Sequence, residues 1–372
     1  MNVPFIDLKI QNRQIKSEIL PLWEEILDSG AFIGGKHVRS FESEFAEACS
    51  VDYAIAVNSG TDALRFIFMA LGLQNCDEVI TVPNTFIATT EAISQAGGKI
   101  VFVDVDPETY NIDPSKIESA ITSKTRGIVP VHLYGQTANM DSIMSIAEKY
   151  GLWVVEDACQ AHLAEYKGRT AGSMGIASGF SFYPAKNLGA CGEGGAVATN
   201  DSSVAEKVRR LRDHGQAEKY NHMVEGFNGR CDALQAAALR AKLKRLPQWN
   251  EARRQHAKRY DKLLGESPSV ILPKVAEACL PVYHLYVIQI DKRDSIAAEL
   301  NKRGIGTGLH YPVPLHLQKA YAHLNLREGA FPVAEKYTKR LLSLPIFPEL
   351  TKDQIIYICN TLKNVLGDIR LL

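Results

Sequence analysis

The segment GFSFYPAKNLGACGEGGAV, residues 179–197, places one lysine where few roles suit it. Apolar and aromatic residues lead in from Phe180 to Tyr183, and glycines crowd the exit at Gly189, Gly192, Gly194 and Gly195. Such a run presents the Lys186 amine at a strand end and lets the backbone pass close to something flat or bulky. An amine that is partly desolvated, or beside another cation, loses its proton more easily and becomes a nucleophile toward carbonyls. The pattern suggests a Schiff-base lysine, although most lysines are simply solvated surface charges.

Outward from this segment, short β-rich runs alternate with amphipathic stretches over residues 50–200. The predicted strands are 53–57, 78–81, 100–105, 126–131, 153–156, 179–182 and 196–199. Helical patterns fall at 61–71, 87–96, 114–121 and 142–150. Continuous apolar strands separated by helices indicate an α/β domain whose mostly parallel sheet is covered on both faces. In such sheets ligands collect at the carboxyl ends of the strands, and Ser59-Gly60-Thr61, Asp157 and Lys186 each follow a strand. A helical region over 232–264 bridges to a smaller α+β unit. There a strand near 284–290, a helix near 295–303, the segment 308–314 and a terminal helix near 352–366 are expected. The predicted division is 1–245 for the large unit and 246–372 for the small one, with the N-terminal segment able to pack on the latter.

Composition narrows the functional classes. Lys+Arg and Asp+Glu balance at 42 each, so no polyanion-attracting field exists and nucleic acid is not an expected partner. The N-terminal MNVPFIDLKIQNRQ lacks an apolar signal core, and no uncharged apolar run is long enough to span a bilayer. The seven cysteines are scattered without a C-x-x-C pair, which argues against a disulfide framework and a zinc site. The expected location is the cytoplasm.

The strand-to-helix turn at Asn58-Ser59-Gly60-Thr61-Asp62 offers free N–H groups, a helix dipole and two hydroxyls, which suit a phosphate. The same spacing suits an ordinary helix cap. In WVVEDACQAH (153–162) an apolar strand delivers Glu156 and Asp157 to its end, with Gln160 three residues on. A buried carboxylate needs a cationic partner, and a pyridinium nitrogen would serve, keeping the ring protonated as an electron sink. A helix-capping aspartate reads equally well there, and His162 alone reads as a packed histidine. Phe86 in PNTFIATT could stack on a flat ring or belong to the core, and Ser181 could add a donor five residues before Lys186.

Seven ordered segments together resemble the DegT/StrS family of pyridoxal-phosphate-dependent sugar aminotransferases. They are NSGTDAL (58–64), PNTFIAT (83–89), VHLYGQ (131–136), EDACQAH (156–162), SFYPAKNLGACGEGG (181–195), GFNGRCDALQAA (226–237) and HYPVPLHLQ (310–318). The resemblance covers essentially the whole chain and implies the type I fold of pyridoxal-phosphate-dependent transferases. It implies that Lys186 carries the cofactor covalently, that Asp157 pairs with the pyridine nitrogen and that Gln160 meets the ring hydroxyl. Gly60, Thr61, Asp62 and Ser181 are then phosphate contacts, Phe86 stacks on the ring, and Asn228 reaches the phosphate of a neighbouring subunit in a homodimer. The spelling is most similar to the subgroup acting on 3-keto nucleotide sugars, in which Tyr183, His310 and Tyr311 contact the hexose. Lys219 and Arg230 are candidate diphosphate contacts, and L-glutamate is the implied amino donor. Ala185, Cys191 and Glu193 depart from common spellings without removing a group the chemistry needs.

Three rivals stand beside this reading. A dehydratase on the same scaffold replaces the lysine with histidine, whereas Lys186 is present. Transamination at C4 of the sugar is only weakly disfavoured by the motifs. A cofactor-binding sensor without turnover lacks support from any appended DNA-binding segment.

Overall fold

Short runs of small and β-branched residues, buried on both faces, build the centre of the structure, a computed structural model that describes residues 1–370. Seven strands form the main sheet: β1 (Tyr53–Val57), β2 (Glu78–Thr81), β3 (Lys99–Phe102), β4 (Thr125–Ile128), β5 (Trp153–Asp157), β6 (Ala177–Ser181) and β7 (Gly195–Thr199). Their spatial order is β1-β7-β6-β5-β4-β2-β3. Six strands run one way, and β7 is antiparallel to both of its neighbours. The predicted mostly parallel α/β sheet is therefore what forms.

Two helices beyond those predicted, α1 (Leu8–Ser29) and α2 (Gly35–Cys49), precede the sheet. Phe41 and Phe45 of α2 meet Phe180 and Phe182 edge to face, with ring centroids 5.1–5.4 Å apart. The crossover helices α3 (Gly60–Ala70), α4 (Ala88–Gln95), α5 (Met140–Tyr150) and α6 (Ser202–Leu211) match the predicted positions or lie between predicted elements. The stretch 114–121 differs: it makes two short 3₁₀ turns, Pro114–Lys116 and Glu118–Ala120. The region 232–264 is likewise two helices, α7 (Ala233–Leu243) and α8 (Leu246–Leu264). Pro247 lies in the first turn of α8, where a missing N–H is harmless but from which a helix cannot continue backwards.

Beyond α8, the antiparallel pair β8 (Tyr286–Gln289) and β9 (Leu341–Leu344) packs with α9 (Arg293–Lys302), α10 (Pro332–Thr338) and α11 (Lys352–Arg370). Tyr260, Tyr286, Ile288, Leu342 and Ile355 build this core, and Val3 from the N-terminal segment joins it. Among the described residues no helix is long and apolar enough to cross a membrane.

The reversed strand sets the geometry of one sheet edge. Val57, Gly195 and Ser181 share a row across β1, β7 and β6, so two strand ends and one strand start coincide there. A side chain at Gly195 would place its Cβ 2.3 Å from the carbonyl carbon and oxygen of Ser59. Bare backbone at position 195 is what lets the Ser59-Gly60 turn lie on β7. Gly195→Ala is therefore expected to cost about 1–3 kcal/mol of stability through overpacking, read as a lower urea midpoint with unchanged slope.

Candidate active site

The first wall of the site is the start of α3. Ser59 is extended and caps the helix, its Oγ accepting from the Asp62 N–H at 3.1 Å. The N–H groups of Gly60 and Thr61 have no partner within the helix. A Cβ added at Gly60 would meet the Ser181 Cβ at 2.6 Å and the Cys159 Sγ at 3.0 Å, so Gly60, Ser181 and Cys159 converge. Asp62 is different: its carboxylate is held by Arg65 at 2.6 Å, which neutralises its charge at this turn.

The second wall comes from β5 and β6. Asp157 is buried at the carboxyl end of β5, with Oδ2 accepting from Thr89 Oγ at 2.7 Å and Oδ1 from the Cys159 N–H at 3.1 Å. Its main chain is pinned on both sides, from Asp157 N to the Pro130 carbonyl and from His132 N to the Asp157 carbonyl. Lys186 lies in the turn after β6, its N–H donating to the Tyr183 carbonyl at 2.8 Å. Loss of solvation lowers the Lys186 pKa below that of a free lysine, while the nearby Cys159 and Asp157 oppose the shift. The crowded glycines thus serve the chain itself: Gly189 lies against Pro184 and Gly195 against Ser59.

The third wall is the segment 310–311. The Gln160 Oε1 accepts from the Tyr134 N–H at 2.7 Å, and its Nε2 donates to the Tyr311 hydroxyl at 3.0 Å. Tyr311 lies 5.8 Å from the Phe86 ring, which is itself exposed. Tyr134 donates its hydroxyl to the His310 carbonyl, and His310 Nδ1 lies 2.8 Å from Ser343 Oγ. Burial, reinforced by the Lys186 charge, pushes the His310 pKa down to about 4.

Gly60, Asp157, Gln160, Ser181, Lys186, His310 and Tyr311 are thus brought together, with Thr61 at the turn and Phe86 against Tyr311. Tyr183 is an exposed side chain beside Ser181, to whose Oγ its N–H donates at 3.3 Å. Asn228 and Arg230 flank the turn before α3, where Arg230 pairs with Val57 in an isolated antiparallel bridge and Asn58 N donates to the Gly229 carbonyl at 3.0 Å, while Lys219 lies elsewhere on the chain. Arg230 is bound to Asp213 and donates to the Asn228 Oδ1 at 2.8 Å. Lys219 is exposed over the Tyr220 ring.

Several residues join the site that the sequence reading leaves out. Thr89 sits within the PNTFIAT segment, three residues after Phe86, where one helical turn brings it to the same side. Tyr134 adopts a left-handed conformation, with φ at 59°, and gives no such signal. His284 lies close enough to Lys186 for their charges to interact, its Nδ1 3.3 Å from the Asn187 Oδ1. Glu156 is not beside Asp157 in function, because neighbours on a strand face opposite ways. It is fully buried, accepting from His132 at 2.8 Å and from the N–H groups of Gly172, Met174 and Gly175 at 2.7 Å each. Burial alone would raise its pKa, but the His132 hydrogen bond and the N–H donors outweigh that and hold it low.

The DegT/DnrJ/EryC1/StrS aminotransferase family model matches residues 13–363. The chain belongs to that family. This aminotransferase is 46% identical to the "Pleiotropic regulatory protein" of Geobacillus stearothermophilus, over 96% of this chain and 97% of that one. It is 42% identical to the dTDP-3-amino-3,4,6-trideoxy-alpha-D-glucose transaminase of Streptomyces venezuelae, over 97% of this chain and 96% of the relative. Among solved structures, S. venezuelae DesV in complex with ketimine intermediate superposes with a TM-score of 0.96 at 42% identity, covering 98% of each chain. Aminotransferases of this family depend on pyridoxal phosphate. The residues here fit that cofactor: an amine of lowered pKa, a buried carboxylate fixed by two donors, and a helix start whose Gly60 leaves no room for a side chain beside Ser181.

The buried histidines give the aminotransferase a distinct acid response. His162 is fully buried, donating from Nε2 to the Ser181 carbonyl at 2.9 Å, and lost solvation pushes its pKa down to about 3. Above its ordinary pKa of 6.5 the imidazole is neutral whether the chain is folded or not. Between about 6.5 and about 4 the unfolded chain takes up protons that folded His162 and His310 refuse. Stability therefore falls as pH drops through that window, by about 1.4 kcal/mol per pH unit for each histidine. Urea unfolding across this range checks the slope, and His162→Gln should flatten it.

Proposed function

We propose that the aminotransferase moves the amino group of L-glutamate onto the C3 keto group of a nucleotide-linked hexose, with dTDP or UDP as the nucleotide. The observation that carries this reading is the meeting of the Lys186–Asp157 pair with the His310-Tyr311 wall at one sheet edge. The choice of C3 is supported by the name of the Streptomyces transaminase and by the spelling of residues 131–136, 181–195 and 310–318.

Pyridoxal phosphate, when bound, supplies an electron-withdrawing ring that lets a proton leave the carbon bearing the transferred nitrogen. The chain does the rest. Gly60 and Thr61 offer N–H groups, and Thr61 and Ser181 hydroxyls, to a phosphate at the positive end of α3. Asp157, oriented by Thr89 and the Cys159 N–H, is the carboxylate that would meet the ring nitrogen. Gln160 keeps one Nε2 hydrogen beyond its bond to Tyr311, available to the ring hydroxyl. Phe86 would cover one face of the ring.

Lys186 then acts as the acid–base group. Its lowered pKa leaves more free amine near neutral pH, so it can take a proton from the donor's α-carbon and return one at the cofactor side. The second half of the cycle runs this transfer in reverse on the keto sugar. Tyr183, His310 and Tyr311 receive the hexose, and Lys219 and Arg230 its diphosphate. Asn228, exposed beside Arg230, serves the phosphate site of a neighbouring subunit, so a homodimer is the active form in the cytoplasm.

Assay of a small panel of dTDP- and UDP-linked 3-keto and 4-keto hexoses with L-glutamate tests the reading. Preference for a 3-keto sugar supports it, and preference for a 4-keto sugar overturns the position. The name of the Geobacillus relative favours one second reading, a regulator that holds the cofactor without turnover. A visible band unmoved by any amino donor would select that regulator. Lys186→Ala should lose donor-driven turnover while its urea midpoint stays near wild type. Asp157→Asn should lower turnover roughly 100-fold and weaken cofactor binding far less, since the phosphate contacts remain.

A further inference from the structure

The sequence RGIGTGLHY (303–311) carries glycine at every second position, Gly304, Gly306 and Gly308. Gly304, with φ at 79°, lies in the turn after α9, whereas Gly306 and Gly308 follow it two residues apart, a spacing that puts them on one face of extended chain. The N-terminal segment lies along this stretch. Val3 N donates to the Gly304 carbonyl at 2.8 Å, and Gly306 N donates to the Val3 carbonyl at 2.9 Å. A Cβ at Gly306 would lie 2.5 Å from Phe5 N, and one at Gly308 would lie 2.6 Å from His310 Cε1 and 3.0 Å from Phe5 Cζ. The bare track therefore fits the N-terminal segment and two rings. Phe5 stacks on His310 with centroids 5.6 Å apart and planes 20° from parallel.

From Phe5 the contacts run straight into the site. His310 meets Tyr311 edge to face at 5.6 Å, and Tyr311 accepts from Gln160 and faces Phe86. The His310 Nδ1 is taken by Ser343, so Phe5 and Ser343 together fix the plane and the edge of the imidazole. The Phe5 ring reaches the site through His310, while Asp157, Lys186 and the start of α3 are held by other partners.

We propose that Phe5 is a positioning residue of the acceptor subsite, holding the His310 ring for the nucleotide sugar while leaving amino-donor chemistry alone. This rests on the reading of His310 as a hexose contact. The N-terminal segment is then one wall of the acceptor site, laid on a track of glycines whose missing side chains make room for it.

The test separates the half-reactions. The donor half is followed by absorbance with L-glutamate. The sugar half is followed in the amino-releasing direction, with dTDP-3-amino-3,4,6-trideoxy-α-D-glucose as the probe. In Phe5→Ala the sugar half should lose roughly fivefold to tenfold in kcat/KM, mostly in KM, with the donor half within about twofold of wild type. Phe5→Tyr should restore the loss, and the urea midpoint of each variant checks the fold. Equal loss in both halves, or none in either, overturns the proposal. His310→Ala serves as the control on the underlying reading. If it lowers the sugar half while Phe5→Ala does not, only the role of Phe5 fails. If it leaves the sugar half unchanged, or if wild type ignores both this probe and a UDP-linked 3-amino hexose, the 3-amino-sugar reading fails and this inference with it.

Discussion

The site depends on a single close approach, the Ser59-Gly60 turn lying on the first residue of β7. Because β7 runs against its neighbours, it begins where β1 and β6 end, and Gly195 occupies the row between Val57 and Ser181. With a Cβ at 195 the turn would have to lift away, and the α3 N-terminus would separate from Ser181. One backbone contact thus sets the distance between the helix dipole and the strand-end donors. A parallel strand in that place would begin at the other edge of the sheet.

Around this edge the protein fixes polar groups by pairing them and tunes the rest by removing water. Asp157 has two side-chain contacts and two main-chain contacts, which leaves it little freedom to reorient. On the opposite face of β5, Glu156 gathers three N–H groups and His132, closing the 172–175 loop behind the strand. Lys186, His162, His284 and His310 all lose proton affinity, in each case chiefly through burial. The result is a pocket of neutral bases around one amine, which suits proton transfer near neutral pH.

Much of this is legible in the residues. Continuous apolar strands with strand-end polar residues mark the sheet and its binding edge, because period and position follow directly from burial. Asp157, Gln160, Ser181 and Lys186 can be placed because each lies at a strand end or within a few residues of one. Contacts made across long separations are not legible. The meeting of Phe5 with His310, of Tyr134 with Gln160 and of His284 with Asn187 depends on how distant segments pack, which local pattern does not encode. The break between α7 and α8 is hidden by an Ala- and Arg-rich pattern that runs through it, and only Pro247 signals the restart.

The account stands on Lys186 being the residue that carries pyridoxal phosphate. Borohydride reduction of the resting holoenzyme followed by peptide mapping tests this most directly. The account predicts the reduced cofactor on the peptide containing Lys186. Label on another amine, such as the buried Lys242 that donates to the Gly189 carbonyl at 2.6 Å, or no label despite bound cofactor, would contradict it.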